Sequence, residues 1–270
     1  MNLPHPIQLS ESVQLIYNAL PPLFPLTADA LFFYSLNLFL LSTVFQSLKM
    51  ILHILINKQL AFVSKKYNSV TTSEEKILVL GDSTAVGTGA SKPEETIAGR
   101  LGHDFPHAQI INLGKNGGLV SDVRKQVESV KGQTFSMIII SVGGNDVWHL
   151  TSYRSIRKNL EIILTELVQL CPPNRILFLV YNNAGSAPLF PPLLQFFLKR
   201  RSRKIQELIY TIAAHHTITT VDLFSSDENN PFLENPRVLF ATDGIHPSSR
   251  GYELWYHRMW RELVQNGFRY

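Results

Sequence analysis

The sequence predicts an α/β domain whose parallel sheet is covered by helices on both faces. Five short runs of aliphatic and β-branched residues recur after position 76, and segments with helical periodicity separate them. Continuous apolar strands that alternate with helices are typical of a parallel sheet buried on both sides. The predicted strands are residues 77–80, 109–113, 137–142, 176–181 and 218–223, and the predicted helices include residues 120–130, 155–170, 193–214 and 249–264.

The N-terminal part differs in composition, because residues 30–48 carry no charge and the apolar character continues to residue 56. A helix over residues 30–57 would be about 42 Å long at about 1.5 Å per residue, against a hydrocarbon core of about 30 Å. It would span a membrane with tilt or lie in the interface. The alternative is a long helix packed on the α/β domain. Its polar residues fall in one narrow stripe: Ser35, Ser42, Gln46, Lys49, His53 and Asn57.

The charges around this helix suggest its orientation. No Lys or Arg precedes Lys49, so the basic front end of a secretory signal is missing and we expect the segment to be retained. Lysines 49, 58, 65 and 66 all follow the uncharged run, and the positive-inside tendency then leaves the rest of the chain cytoplasmic. We therefore divide the chain into a membrane-associated helical segment (1–66), a polar linker (67–76) and the α/β domain (77–270).

The net charge of +4 comes mostly from two basic clusters, each beside apolar sequence. One runs from Lys49 to Lys66, and the other comprises Lys199, Arg200, Arg201, Arg203 and Lys204. This arrangement favours an anionic membrane surface over nucleic acid, for which no motif is present. Cys171 is the sole cysteine and is expected to be buried near a helix end. No spacing typical of metal ligands appears, and we expect no cofactor.

Polar motifs follow the predicted strands. In the segment VLGDSTAVG, residues 79–87, Ser83 stands where the first strand turns into a helix. By itself, this pattern also fits a strand that ends in a glycine turn, with Asp82 as the N-cap of the following helix. A serine hydroxyl needs a neighbouring base to act as a nucleophile. The motif DGIH, residues 243–246, supplies one, since a short turn can orient the His246 imidazole with Asp243 and leave its other nitrogen facing Ser83.

Two further motifs offer hydrogen-bond donors for an oxyanion, which develops when a carbonyl is attacked. Gly117 lies in a glycine-rich turn after the second strand, and Asn145 follows the third strand with a side-chain amide. Each motif alone is also a common turn in a parallel sheet. Because the carboxyl ends of the strands share one edge of the sheet, the four motifs are expected to meet there.

These four motifs resemble, in order, the sequence blocks of the SGNH or GDSL hydrolases. The resemblance covers about residues 75–266 and excludes the first seventy residues. It implies a flavodoxin-like three-layer α/β/α sandwich with five parallel strands, and hydrolysis of carboxylic esters without a metal. It also implies that Ser83 is the nucleophile, His246 the base and Asp243 its partner, with Ser83 N–H, Gly117 and Asn145 as the oxyanion donors. Thr84 stands where the family often has leucine, a change expected to affect packing alone.

The expected activity is ester hydrolysis through an acyl-enzyme, on lipid or other acyl esters at a membrane. An apolar stretch with three prolines, residues 185–198, precedes the second basic cluster and suggests a wall or lid beside the site, although it also fits an amphipathic core helix. Deacetylation of a carbohydrate is the competing hypothesis for an enzymatic function. A membrane-tethered binding module without turnover is the alternative from another class.

Overall fold

The computed structural model describes residues 28–180, 187, 190–223 and 230–265. Within these ranges the five predicted strands form one parallel sheet in the order β2-β1-β3-β4-β5, which is the flavodoxin-like order. The predicted fold class is confirmed. The strands are β1 (Lys76–Gly81), β2 (Gln109–Asn112), β3 (Met137–Ser141), β4 (Ile176–Val180) and β5 (Thr219–Asp222). The predicted last residue of the fourth strand, Tyr181, lies outside the described residues.

The helices alternate with the strands as predicted, and several short ones were not anticipated. The helices are α1 (Ala28–Val63), α2 (Ser83–Val86), α3 (Ile97–Asp104), α4 (Val120–Glu128), α5 (Gly144–Trp148), α6 (Tyr153–Leu167), α7 (Pro192–His215), α8 (Pro231–Glu234), α9 (Pro236–Leu239) and α10 (Ser249–Gln265). Single 3₁₀ turns occur at Pro93–Glu95 and Pro173–Arg175.

The sheet is buried on both faces, as its continuous apolar strands predict. Successive side chains of a strand point to opposite faces. Leu78 and Leu80 of β1 therefore pack in the core formed with α4, α6 and α7. Ile77 and Val79 pack in a second core with α3 and α10. This burial holds the carboxyl ends of the strands at one edge, where the polar loops emerge.

The polar segment before β1 covers the outer edge of the sheet. Ser69 N–H donates to the Ile110 carbonyl at 3.1 Å, and the Ser69 hydroxyl accepts from Ile110 N–H at 2.9 Å. Asn68 accepts from the backbone N–H of Asn112 at 2.8 Å. The residues predicted as a linker thus satisfy backbone groups of the edge strand β2, which an open edge would leave unpaired.

The N-terminal helix α1 is longer than predicted, with 36 residues. From Leu31 to Val63 it has a mean hydropathy of 1.7 and is long and apolar enough to cross a membrane. Before Lys49 its large apolar side chains are exposed, including Phe32 and Leu38. The chain divides into two compact units between Leu48 and Lys49, so the last part of α1 belongs to the same unit as the sheet. The predicted domain boundaries at 66 and 77 stay a prediction.

Candidate active site

Ser83 stands on a sharp turn between β1 and α2. Gly81 ends β1 with a φ of +139°, and a Cβ there would lie 1.9 Å from the Ser141 carbonyl oxygen on β3, so glycine is required. The side-chain amide of Gln126 bonds both the N–H and the carbonyl of Gly81 at 2.8 Å. Asp82 then caps α2, and Ser83 begins it. The turn therefore fixes Ser83 at the carboxyl edge of the sheet.

His246 connects Ser83 to Asp243. Its Nε2 lies 2.8 Å from Ser83 Oγ, and its Nδ1 lies 2.5 Å from Asp243 Oδ2. The loop between α9 and α10 carries both residues, and its turn is closed by Asp243 Oδ1, which accepts the N–H groups of Ile245 and His246 at 3.0 Å each. The three side chains that the sequence singled out thus form one hydrogen-bonded line.

The carboxyl group of Asp243 is fully buried yet held in its ionised form. Burial raises its pKa, but the hydrogen bond and charge of His246 and the two backbone N–H groups together hold that pKa below its ordinary value. An ionised carboxylate at this position can orient the imidazole and stabilise the imidazolium that forms when His246 accepts a proton.

The predicted oxyanion donors lie around the same cavity as Ser83. Gly117 has a φ of +70°, and no atom lies within 4 Å of the point where a Cβ would stand. In the part of the chain that the structure describes, the N–H groups of Ser83 and Gly117 have no protein acceptor. Asn145 donates one amide hydrogen to the Gly118 carbonyl at 3.0 Å, and its side-chain amide carries a second hydrogen.

Thr84 does more than the packing role that we expected of it. Its hydroxyl lies 2.8 Å from Asp82 Oδ1 and 2.6 Å from the Ser141 hydroxyl, and its N–H donates to Asp82 Oδ1 at 2.9 Å. A leucine could make neither hydroxyl contact. Burial raises the pKa of Asp82 to about 6, although the hydrogen bonds from Thr84 oppose the shift. Thr84 therefore connects the turn that carries Ser83 to β3.

The second basic cluster is not entirely a surface feature, which corrects the sequence interpretation. Arg201 is buried and donates to the carbonyls of Val147 and Asp146 at 3.1 Å, and also to the carbonyl of Thr151. Its guanidinium also lies 4.9 Å from the ring centre of Tyr153. Arg201 thus completes the backbone hydrogen bonding after α5, the helix that carries Asn145. The exposed basic residues are Arg200, Arg203 and Lys204.

A cavity of about 410 Å³ opens over Ser83. Its lining includes five Trp and Phe residues, of which Trp148 packs against Phe190 with ring centres 4.4 Å apart. The other aromatic residues are Phe232, Phe240 and Trp255. Within the described ranges, no three His, Cys, Asp or Glu side chains come together as metal ligands. A cavity of this size and lining suits an organic ligand with a substantial apolar part.

A serine, an imidazole and a carboxylate in one line at the edge of a parallel sheet define a serine hydrolase. The sequence profile of the GDSL-like lipase/acylhydrolase family matches residues 79–254. The chain therefore belongs to the GDSL-like lipase/acylhydrolase family and is a serine esterase, which confirms the resemblance found in its motifs.

Solved structures share the fold. A lipolytic protein of the G-D-S-L family from Veillonella parvula is 18% identical, with 69% of this chain and 97% of that chain covered and a TM-score of 0.55. A lipase/acylhydrolase from Enterococcus faecalis is 20% identical, with 71% and 96% covered and a TM-score of 0.52. An acetylxylan esterase from Geobacillus stearothermophilus is 22% identical, with 73% and 96% covered and a TM-score of 0.53. No curated protein matches the sequence significantly.

Proposed function

We propose that Ser83, His246 and Asp243 hydrolyse a carboxylic ester of a lipid or another acyl compound at a membrane, through an acyl-enzyme intermediate. The observation that carries the proposal is the position of the His246 ring, with Nε2 at 2.8 Å from Ser83 Oγ and Nδ1 at 2.5 Å from Asp243 Oδ2. Both distances are within hydrogen-bond reach for a nucleophile, a base and the group that orients the base.

In the first half of the reaction, His246 Nε2 accepts the Ser83 proton while Oγ forms a bond to the ester carbonyl carbon. The carbonyl oxygen becomes an oxyanion, which accepts hydrogen bonds from the N–H groups of Ser83 and Gly117 and from the Asn145 amide. The bond to the alcohol oxygen then breaks, and His246 returns its proton to the departing alkoxide. In the second half, a water molecule gives a proton to His246 Nε2 while its oxygen forms a bond to the acyl carbon. The bond from that carbon to Ser83 Oγ then breaks, His246 returns the proton to Oγ, and the acid is released.

The cavity favours an acyl chain as the part of the substrate beside the reacting carbonyl. Trp148, Phe190 and Phe240 offer apolar surface around Ser83. Burial of a methylene group against such surface contributes about 0.8 kcal/mol. An acetyl group would leave most of this surface without a partner. Lysophospholipids and related lipid esters are therefore the substrate class that we propose.

Two features support action at a membrane. The helix α1 is long and apolar enough to cross one. On the first turns of α7, Phe196 and Phe197 are 71% and 53% exposed, a few residues before the exposed Arg200 and Arg203. Exposed aromatic residues beside basic ones suit an interface with anionic lipid headgroups. If α1 spans, the lysines after residue 48 favour a cytoplasmic catalytic domain, which protease protection in sealed membrane vesicles would test.

Carbohydrate deacetylation is the competing function, and the structural similarity to an acetylxylan esterase favours it. The same serine, imidazole and carboxylate would carry out that reaction. A series of p-nitrophenyl esters of increasing chain length separates the two possibilities. We expect octanoate to be hydrolysed with a higher kcat/KM than acetate, and a sharp preference for acetate would contradict the lipid proposal.

The proposed nucleophile can be tested directly by labelling with a fluorophosphonate, followed by mass spectrometry. We expect a single adduct on Ser83, and none in Ser83→Ala, which should keep the fold and lose nearly all esterase activity. The exposed Ser121→Ala is a matched serine control and should be labelled at Ser83 as the wild type is. A folded wild-type protein that takes no label would favour the binding module instead.

A further inference from the structure

We propose that the last part of α1, from Lys49 to Val63, is built into the active site and that Ile54 helps to set the length of the acyl chain. This inference rests on the proposed esterase function. It assigns the selection of acyl-chain length to a wall of the cavity that lies outside residues 79–254, the region of the family match. The wall is α1 itself, which lines the cavity over Ser83.

The lining residues of α1 share one side of the helix. They are Met50, Ile54, Asn57, Lys58 and Ala61, and their spacings of three and four residues place them on one stripe. Leu55 lies off this stripe and does not line the cavity, and it is 58% exposed against 42% for Ile54. The helix therefore presents one face to the cavity and another away from it.

Hydrogen bonds attach this face to the two loops that carry the proposed chemistry. His53 Nδ1 lies 3.0 Å from the carbonyl oxygen of Asp243, and the Asn57 amide donates to Asp243 Oδ2 at 3.4 Å. Asn116, next to Gly117, donates to the carbonyl of Ala61 at 2.7 Å. Three contacts along successive turns hold α1 in register with the catalytic groups.

These contacts also indicate what occupies the cavity. Asn57 and Asn116 line it, yet both direct their amide groups to protein partners, and Asn116 accepts from the Thr88 hydroxyl as well. One amide hydrogen of each side chain is thereby engaged, which leaves fewer polar atoms on this wall to bind sugar hydroxyls. Met50 and Ile54 offer apolar side chains on the same wall. We therefore place the acyl chain of the ester against Met50 and Ile54 on this side of the cavity.

The role of Ile54 can be tested with substitutions that change the volume of the cavity. Ile54→Trp adds bulk on the lining face of α1, whereas Leu55→Trp places the same bulk one residue away on the exposed face. We expect Ile54→Trp to lower the ratio of octanoate to acetate kcat/KM by about tenfold or more, as differences in pocket fit commonly do. Leu55→Trp should leave that ratio at the wild-type value.

The experiment uses the purified full-length chain in detergent, with fluorophosphonate labelling of Ser83 as a check on the site in each variant. Ile54→Ala serves as a second variant, because it enlarges the cavity and should move the preference from octanoate toward dodecanoate. Equal ratios for Ile54→Trp, Leu55→Trp and wild type would overturn the proposed wall while leaving the esterase intact. A wild type that neither takes the label nor hydrolyses any ester would instead overturn the proposed function.

Discussion

His246 Nε2 lies 2.8 Å from Ser83 Oγ, although 163 positions separate the two residues in the chain. The parallel sheet makes this possible, because it brings the loops that follow different strands to a single edge. On the other side of the imidazole ring, His246 Nδ1 contacts the carboxylate of Asp243, which is buried and ionised.

Replacement of Asp243 by Asn should lower kcat by about 10³–10⁴ with little change in the fold. An amide at this position can no longer hold the tautomer in which Nδ1 carries the hydrogen, nor stabilise the imidazolium by charge. Steady-state hydrolysis of p-nitrophenyl octanoate would measure the loss. The exposed Glu128→Gln makes the same chemical change on α4 and should keep full activity. A modest effect in Asp243→Asn would argue against the role of this carboxylate.

Asn145→Ala should reduce kcat by about 10² to 10³ and leave KM nearly unchanged, because an oxyanion donor acts in the transition state. The structure supports this expectation, since one Asn145 amide hydrogen bonds the Gly118 carbonyl and the amide lines the cavity. Asn159→Ala is a suitable control, as that amide bonds the Ser155 carbonyl within its own helix. A raised KM at unchanged kcat would show that Asn145 serves substrate binding instead.

The sequence was sufficient to predict the sheet and to single out side chains that the structure brings together at its edge. The central strands β1, β3 and β4 are almost entirely apolar, and Ser83, Gly117 and Asn145 lie within a few residues of a strand end, which places them at one edge of the sheet. Asp243 and His246 needed just the three-residue spacing of a single turn. These features depend on residues that are close together in the chain, and in natural proteins such local preferences agree with the final fold.

Contacts between segments that are far apart in the chain could not be predicted from the sequence in the same way. The polar stripe of α1 was visible, and His53 and Asn57 belong to it, but nothing in the sequence indicated that they meet Asp243. Arg201 looked like its basic neighbours because its partners are backbone carbonyls, which every residue has. Thr84 was placed correctly in the turn, yet its contact with Ser141 depends on the close approach of β1 and β3.

Arg201→Ala should destabilise the protein by about 2–4 kcal/mol, since the carbonyls of Asp146, Val147 and Thr151 lose a charged donor in a buried place. Its neighbour Arg200 is exposed, and Arg200→Ala should stay within about 0.5 kcal/mol of the wild type. Urea unfolding in detergent gives both values. Similar free energies of unfolding for the two variants would contradict a structural role for Arg201.

Asp82→Asn should remove a dependence of stability on pH. Burial raises the pKa of Asp82 from 3.8 to about 6, so between these values the folded protein holds a proton that the unfolded chain has released. The stability linked to this proton is complete below pH 3.8 and is lost as the pH rises to about 6. A shift of about two pKa units corresponds to about 3 kcal/mol.

The measurement is the free energy of unfolding of the wild type and Asp82→Asn at pH 4 and pH 7. Asparagine can still accept the two hydrogen bonds from Thr84, but it has no proton to release. The wild type should therefore lose more stability than the variant between pH 4 and pH 7, by up to about 3 kcal/mol. Titrating groups distant from Asp82 are common to both proteins and cancel in the comparison. Parallel pH profiles would mean that Asp82 is already ionised in the folded protein at pH 4, despite its burial.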